Sequence, residues 1–450
     1  MTQAAPAVSP TALRHVMLAA AIGSALEWYD FFIYGTASAL VFGELFFPKY
    51  DATVGTLAAF ATFAVGFLAR PFGGLFFGHF GDRMGRKPML VATLLLVGGG
   101  TFLIGLLPTY AAIGLWAPVL LLLLRLLQGF GAGAEYGGAV IMAVEFAPKG
   151  QRGLYGSFAP LGVTAGNLLA AGVFYLVTMM SKQDLLTWGW RIPFLVSLLL
   201  LGLGVYVRTR VAETPVFSEA NARRPPLRAP AVEALRRHPR NFFVVVGARL
   251  AENGLGYLFP VFGLSYVINT LHMPREVAIT GVMLGNIAEI FGIVLFSWLS
   301  DKVGRRPVYI GGALFSAAFA FPFFAMAQTL NPALICLGFI LVMGIGSAAM
   351  FGPQAAYFAE LFGPRLRYSG FAFARELGSI IAGGPSPFIA ALLVSWMAGA
   401  PWGVACYVIL LSLITAFAVW CGPETHLSDI AADAPQDLAA DGALAAPNQA

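Results

Sequence analysis

The sequence predicts an all-α polytopic membrane protein, and three observations carry that prediction. Hydrophobic residues make up 58% of the 450-residue chain, charged residues only 11%, and mean hydropathy is +0.78. A soluble protein keeps about a quarter of its residues charged, so a chain long enough for about three soluble domains lacks the polar surface to coat them. Apolar runs long enough to cross a bilayer recur along the whole chain. Finally, the net charge of +5 falls mostly in short loops between those runs rather than on a nucleic-acid-binding face. Disorder and disulfide scaffolds are excluded as well. Cys336, Cys406 and Cys421 all sit in apolar runs, where they read as small core residues.

A helix crossing ~30 Å of hydrocarbon needs about 20 apolar residues. Twelve spans are expected, near 14–42, 54–79, 88–107, 115–146, 153–180, 190–208, 241–270, 277–300, 307–327, 332–362, 367–397 and 402–421. The first is long enough to span and follows a polar, small-residue stretch at 1–13, so no cleavable signal is expected. Spans longer than about 25 residues imply tilt or projection beyond the bilayer. Nineteen Lys and Arg residues fall in alternate loops, against Lys49, Lys182, Arg191 and Arg275 in the opposite ones. Positive loops stay on the cytoplasmic side, which places both termini inside. The Arg-, Ala- and Pro-rich stretch 209–240 then divides an N-terminal six-helix bundle (1–208) from a C-terminal one (241–421). An acidic, mobile cytoplasmic tail follows at 422–450, without a heptad pattern for a coiled-coil partner.

The chain also repeats itself. Gly78-His-Phe-Gly-Asp82-Arg-Met-Gly85-Arg86-Lys87 returns as Ser297-Trp-Leu-Ser-Asp301-Lys-Val-Gly304-Arg305-Arg306, at an offset of 219. Gly131 to Glu145, then Arg152, returns as Gly346 to Glu360, then Arg367, at an offset of 215. Parallel repeats of six helices mark two bundles around a central cavity. In those loops glycine allows a tight turn, an acid can face a helix N-terminus, and basic residues can pair with acids at helix ends. Asp82, Arg86, Glu145, Arg152, Asp301, Arg305, Glu360 and Arg367 are therefore expected to latch the bundles on the cytoplasmic side.

These loops and the six-plus-six layout resemble the major facilitator superfamily over nearly the whole chain. Narrower motifs are similar to its metabolite:proton symporter family. They are Glu27-Trp28-Tyr29-Asp30-Phe31, Ala69-Arg70-Pro71-Phe72-Gly73-Gly74, Arg125-Leu-Leu-Gln128-Gly129-Phe-Gly131-Ala-Gly133-Ala-Glu135-Tyr136, and Trp188-Gly189-Trp190-Arg191-Ile192-Pro193-Phe194. The resemblance implies the major facilitator fold, multi-pass insertion in the inner membrane, and symport with protons. Members carry organic acids such as 2-oxoglutarate, citrate and shikimate, or zwitterions such as proline and betaine.

Ten ionisable residues fall inside the spans: Arg70, Arg125, Arg249, Arg375, Glu27, Asp30, Glu135, Glu252, Glu289 and Glu376. Each facing lipid at mid-bilayer would cost roughly 2.5–3.5 kcal/mol. Together they would cost on the order of 25–35 kcal/mol, more than a protein's whole stability. They must face a watery cavity or one another. Glu27, Asp30 and Tyr34 lie on one stripe of the first span, Arg125 and Gln128 share a face of the fourth, and Asn286 and Glu289 share a face of the eighth.

Glu27, Asp30 and Glu135 are the expected proton-coupling acids, since a carboxyl between desolvation and a nearby cation can titrate near neutral pH. If a substrate carboxylate takes over the arginine, the released acid protonates more easily, and proton and anion bind cooperatively. Arg125 is the first expected substrate contact, because a planar fork makes two parallel hydrogen bonds to a carboxylate. Arg249 is the second, with Tyr34, Gln128, Tyr136, Asn167, Tyr257 and Asn286 as polar walls. Arg375 is read as a cytoplasmic gate residue and Arg70 as structural. Gly129, Gly131, Gly133, Gly137 and Gly138 would allow close helix approach. Gly378, Gly383, Gly384, Pro385 and Pro387 would soften or kink the eleventh span.

A proton-coupled importer of an organic anion by alternating access is the leading reading, acting as a monomer on a small anion and a proton in the lipid bilayer, with no cofactor. An osmolyte importer would use Trp28, Tyr29, Phe31 and Phe32 around its amine. The resemblance speaks against it, because family osmolyte sensors end in a long coiled coil. Pro423-Glu424-Thr425 resembles the motif ending sugar porters, but neutral sugars call for amides and aromatics rather than four intramembrane arginines. The five histidines are scattered, with no zinc-type pair, nucleophile motif or P-loop, so neither an enzyme nor an ATP-driven pump is expected.

Overall fold

A computed structural model describes residues 10–84, 86–133, 136–210, 230–364, 366–428 and 430. The first half contains α1 (Pro10–Ala37), α2 (Ala52–Met84), α3 (Arg86–Leu106), α4 (Trp116–Phe146), α5 (Arg152–Thr178) and α6 (Arg191–Arg210). The second contains α7 (Pro239–Thr270), α8 (Arg275–Val303), α9 (Arg305–Gln328), α10 (Pro332–Glu360), α11 (Arg367–Trp396) and α12 (Trp402–Cys421). Nine helices among the described residues are long and apolar enough to cross a membrane, or ten if Lys182–Gly189 and Arg191–Tyr206, bent by 42°, form one span. With α1 and the shorter apolar stretch Val91–Leu106 of α3, they follow the expected order of twelve. Most of the 209–240 linker and the tail beyond residue 430 lie outside the described residues.

Local chemistry sets several starts. Asp51 accepts from the Thr53 and Val54 N–H groups at the head of α2. Asn331 caps α10 by accepting from Ala333 N–H, and Pro332, which has no N–H to leave unpaired, takes the first position. In α11 the expected softening takes the form of a wide π-turn over Ser379–Gly383. Gly384 N–H reaches five residues back to Ser379 at 3.2 Å, just before Pro385, which has no N–H to donate.

Helix pairing repeats between the halves. α1 packs on α5, α2 on α4 and α3 on α6, and these contacts recur as α7 on α11, α8 on α10 and α9 on α12. Two glycines bring α2 and α4 together. A Cβ on Gly129 would lie 1.9 Å from the Gly66 carbonyl oxygen, and one on Gly133 would lie 1.9 Å from that of Arg70. The other expected small positions face elsewhere: Gly131 meets Val97 of α3, and Gly137 meets Phe371 and Ala372 of α11. The outer surface is apolar, with Phe72, Leu199 and Trp396 at 67%, 74% and 74% exposure, as a lipid-facing surface requires.

The halves touch at both ends. Asn269 of α7 donates to the Ala39 carbonyl beyond α1 at 3.2 Å, and charged residues join the opposite ends of the bundles.

Candidate functional site

Three arginines converge where the halves meet. Arg70 projects from α2, one face of which presents Phe63, Phe67 and Arg70 at helical spacing. Its guanidinium lies 5.2 Å from the Trp28 ring, 4.8 Å from Phe31 and 5.2 Å from Phe67. Arg125 of α4 sits 4.5 Å from Phe31, 4.4 Å from Tyr34 and 4.9 Å from Phe63. Arg375 of α11 lies 3.9 Å from Tyr136 and 5.9 Å from Trp28. Trp28 stacks on Tyr257 of the opposite half at 6.2 Å. All three arginines are at most 2% exposed.

Their polar partners are few. Arg125 Nη1 donates to Gln128 at 3.1 Å, and Gln128 in turn donates to Thr101 at 2.6 Å. Arg375 Nη1 meets Glu376 at 2.5 Å, while Arg70 Nε lies 3.5 Å from the other Glu376 oxygen. All three nitrogens of Arg70, Nε and Nη2 of Arg125, and Nε and Nη2 of Arg375 are buried without a hydrogen-bond acceptor among the described residues. The Tyr136 and Tyr257 hydroxyls and Trp28 Nε1 are likewise unpartnered. Leaving a buried donor unpaired costs about 1–3 kcal/mol, more for a charged group. So many unpaired donors call for an acceptor that the described residues do not supply.

The acids divide differently. Glu27 and Asp30 lie buried one turn apart on α1, with Asp30 beside Thr101, Glu27 and Arg125. Tyr34 donates to Thr62 at 2.8 Å. Arg249 pairs closely with Glu252 and also donates to Ser379 at 3.2 Å, while Gln354 donates to the same Glu252 oxygen at 2.8 Å. Asn167 donates to Asn286 at 2.9 Å across the α5–α8 contact, where Thr164 and Ser347 reach Glu289.

The charged seam at the opposite end of the bundles has fuller partnering. Asp301 accepts from the Gly153 and Leu154 N–H groups of the other half at 2.7 and 2.9 Å and from Arg305 at 2.6 Å. Arg305 forks onto both Glu360 oxygens at 3.2 Å. Arg367 donates to Glu145 of the first half at 2.7 Å, and Arg152 lies 3.9 Å from Glu360. The segment after α12 joins in. Thr425 donates to Glu360 at 2.7 Å, and the Ser428 and Ile430 carbonyls accept from Arg152 and Arg367 at 2.7 and 2.5 Å. Burial alone would raise the Glu424 carboxyl, but the N–H groups of Arg305, Arg306, His426 and Thr425 hold it below its ordinary value.

Several positions differ from the expectation. Arg375 lies among the central aromatic rings, not with the seam residues, because its place on α11 is two turns inward from Arg367. Arg70 is central too, where a framework role was expected. Arg249 is engaged by Glu252, three residues along its own helix, and by Ser379 of α11. Asn167 donates to Asn286 at a separate contact, and Asn286 donates in turn to the Val282 carbonyl. Glu135 and the side chains of Asp82 and Arg86 lie outside the described residues. Sequence reasoning also passed over Phe63, Phe67 and Gln354. The Phe63–Phe67–Arg70 stripe was the available signal, and only contacts between helices show that it faces Trp28.

Residues 16–229 match the family model "Sugar (and other) transporter", and residues 253–440 match "Major Facilitator Superfamily". The chain is 42% identical over 410 residues to the shikimate transporter of Escherichia coli (strain K12), covering 90% of this chain and 93% of that one. It is 38% identical to the inner membrane metabolite transport protein YhjE of the same strain, over 91% of this chain and 94% of that one. Against the proline/betaine transporter of Salmonella typhimurium it is also 38% identical, covering 85% of this chain but 78% of the relative. The proton:xylose symporter XylE bound to 6-bromo-6-deoxy-D-glucose superimposes with a TM-score of 0.72 at 19% identity, over 96% and 99% of the two chains. Fold and site thus define a multi-pass membrane transporter. The chain belongs to the major facilitator superfamily and groups with its metabolite transporters.

Proposed function

We propose that this protein is a proton-coupled symporter of a small organic acid, of the 2-oxoglutarate, citrate or shikimate kind, in the inner membrane. The observation that carries this reading is the set of guanidinium donors of Arg70, Arg125 and Arg375 left without an acceptor among the described residues. A carboxylate supplies two oxygens and about four acceptor sites, which is the chemistry those donors lack. Glu27 and Asp30 are assigned the proton, and Tyr34, Gln128, Tyr136 and Tyr257 the hydrogen bonds and rings that shape the site. The seam formed by Asp301, Arg305, Glu360, Arg367, Glu145 and Arg152 closes the cytoplasmic side during alternating access. The likeness to a shikimate transporter supports the same substrate class.

A zwitterionic osmolyte is the second reading, favoured by the Trp28–Tyr257 stack and by the proline/betaine relatives. Against it, the guanidinium groups already occupy the faces of Trp28, Phe31, Phe63 and Tyr136, so an ammonium would compete for the same π surfaces. Uptake of labelled 2-oxoglutarate, citrate, shikimate, proline and betaine into proteoliposomes separates the readings. Accumulation of an acid that vanishes when the inward proton gradient is collapsed is the expected result. Accumulation of proline or betaine alone refutes the organic-acid reading, and gradient-independent equilibration refutes symport.

A further inference from the structure

Glu289 has a different kind of environment from the other buried acids. Among the described residues, Asp30 lies beside Arg125, Glu252 pairs with Arg249, and Glu376 joins Arg375 and Arg70. Glu289 meets hydroxyls instead. Ser347 of α10 donates to Oε1 at 2.5 Å, and Thr164 of α5 donates to Oε2 at 3.3 Å. The residue is 6% exposed. Around it, α5 presents Thr164 and Asn167, α10 presents Ser347, α8 presents Asn286, and α7 contributes the charge of Glu252.

A guanidinium has donors only, so it satisfies a carboxylate but not the O–H of a carboxylic acid. A hydroxyl donates or accepts, and therefore serves both forms. An ionised carboxylate in a dry site with no cation costs several kcal/mol, and water reaching it removes that cost. The contact also lies between the bundles, since Thr164 belongs to the first while Glu289 and Ser347 belong to the second. The Asn167–Asn286 bond, about one turn along each helix, closes the same seam.

We infer that Glu289 is a proton-binding site whose loading is tied to closure of α5 against α8. The carboxylate takes a proton from water as the seam closes, holds it as the O–H of a carboxylic acid between Thr164 and Ser347, and returns it to water when the seam opens. This rests on the proton-coupled reading proposed above, and adds a titrating group in the second half, at its contact with α5.

Glu289→Gln preserves size and polarity but cannot exchange a proton. In proteoliposomes, gradient-driven accumulation by this variant should fall about tenfold or more, and the pH dependence of its exchange at equal pH should shift. Infrared difference spectroscopy on the full-length protein reads the carboxylic-acid C=O band without any substrate. The wild type should show such a band at neutral pH that Glu289→Gln lacks, and Thr164→Val, with one hydroxyl removed, should move the pH at which the band disappears. If Glu289→Gln does not fold, the Thr164→Val shift decides alone. An unchanged band in Glu289→Gln, wild-type accumulation by that variant, a band in Thr164→Val that titrates as before, or a spectral change that follows sodium instead of pH each overturns the assignment. If the wild type carries none of the acids tested, the transport reading fails while the infrared result still decides the role of Glu289.

Discussion

The central cluster and the charged seam use the same residue types and partner them in opposite ways. At the seam, Arg305 engages Asp301, Ser300 and both Glu360 oxygens, and Arg367 is held by Glu145 and two backbone carbonyls. In the middle, Arg125 has one amide oxygen and three aromatic rings. Cation–π contact contributes up to about 2 kcal/mol when desolvated, enough to hold a guanidinium in place but not to satisfy its N–H groups. Buried charge with every donor paired is architecture. Buried charge with donors left over is a site waiting for an acceptor.

That contrast breaks most easily at Arg125. Arg125→Gln should reduce uptake efficiency by about a hundredfold or more, since losing one partner of a buried charge pair costs roughly 3–5 kcal/mol. Arg125→Lys should not restore it, because a point charge cannot supply the fork. A variant with near-normal kcat/KM in vesicle uptake would place the anion elsewhere. The seam predicts a conformational effect of smaller size. Asp301→Asn weakens the acceptor shared by Gly153, Leu154 and Arg305, worth about 1–3 kcal/mol. Maleimide labelling of a cysteine at Ala355, which packs on Gly156, should then rise about tenfold as the seam opens. Unchanged labelling would remove Asp301 from the latch.

Trp28→Leu tests the aromatic part of the comparison. Loss of its stacking on Tyr257 and its contact with Arg70 should raise KM several-fold, by about 1 kcal/mol, as read in vesicle uptake. The smallest effect expected is at Glu424. Its carboxyl is held down in the folded protein, so its contribution is complete above the ordinary value of 4.5 and fades as pH falls through the lower folded value. Glu424→Gln should flatten that acid limb in a thermal melt, and an unchanged acid limb would show that the Glu424 cap contributes nothing.

The helices were legible because hydrocarbon imposes a length and a polarity that composition records directly. The π-turn of α11 was signalled by Gly383, Gly384 and Pro385, though its form was not. The seam was legible in part, since Asp301, Arg305, Glu360 and Arg367 sit in repeats whose spacing and sign recur. Its completion by Thr425 and by the Ser428 and Ile430 carbonyls was not, because backbone acceptors leave no trace in residue identity.

The central site was the least legible part. Helical spacing showed which residues share a face of one helix, and so put Glu27, Asp30 and Tyr34 on one stripe and Arg125 with Gln128. It could not show which faces meet. The sequence by itself determined that ten ionisable side chains must turn away from lipid, because the bilayer penalises each of them wherever the partner lies. Only the tertiary structure decided that Arg249 would be closed off by Glu252 while Arg70, Arg125 and Arg375 kept donors with no acceptor among the described residues. That choice depends on crossing positions and glycine contacts such as Gly129 on Gly66, which fix distances of a few ångströms between residues far apart in the chain.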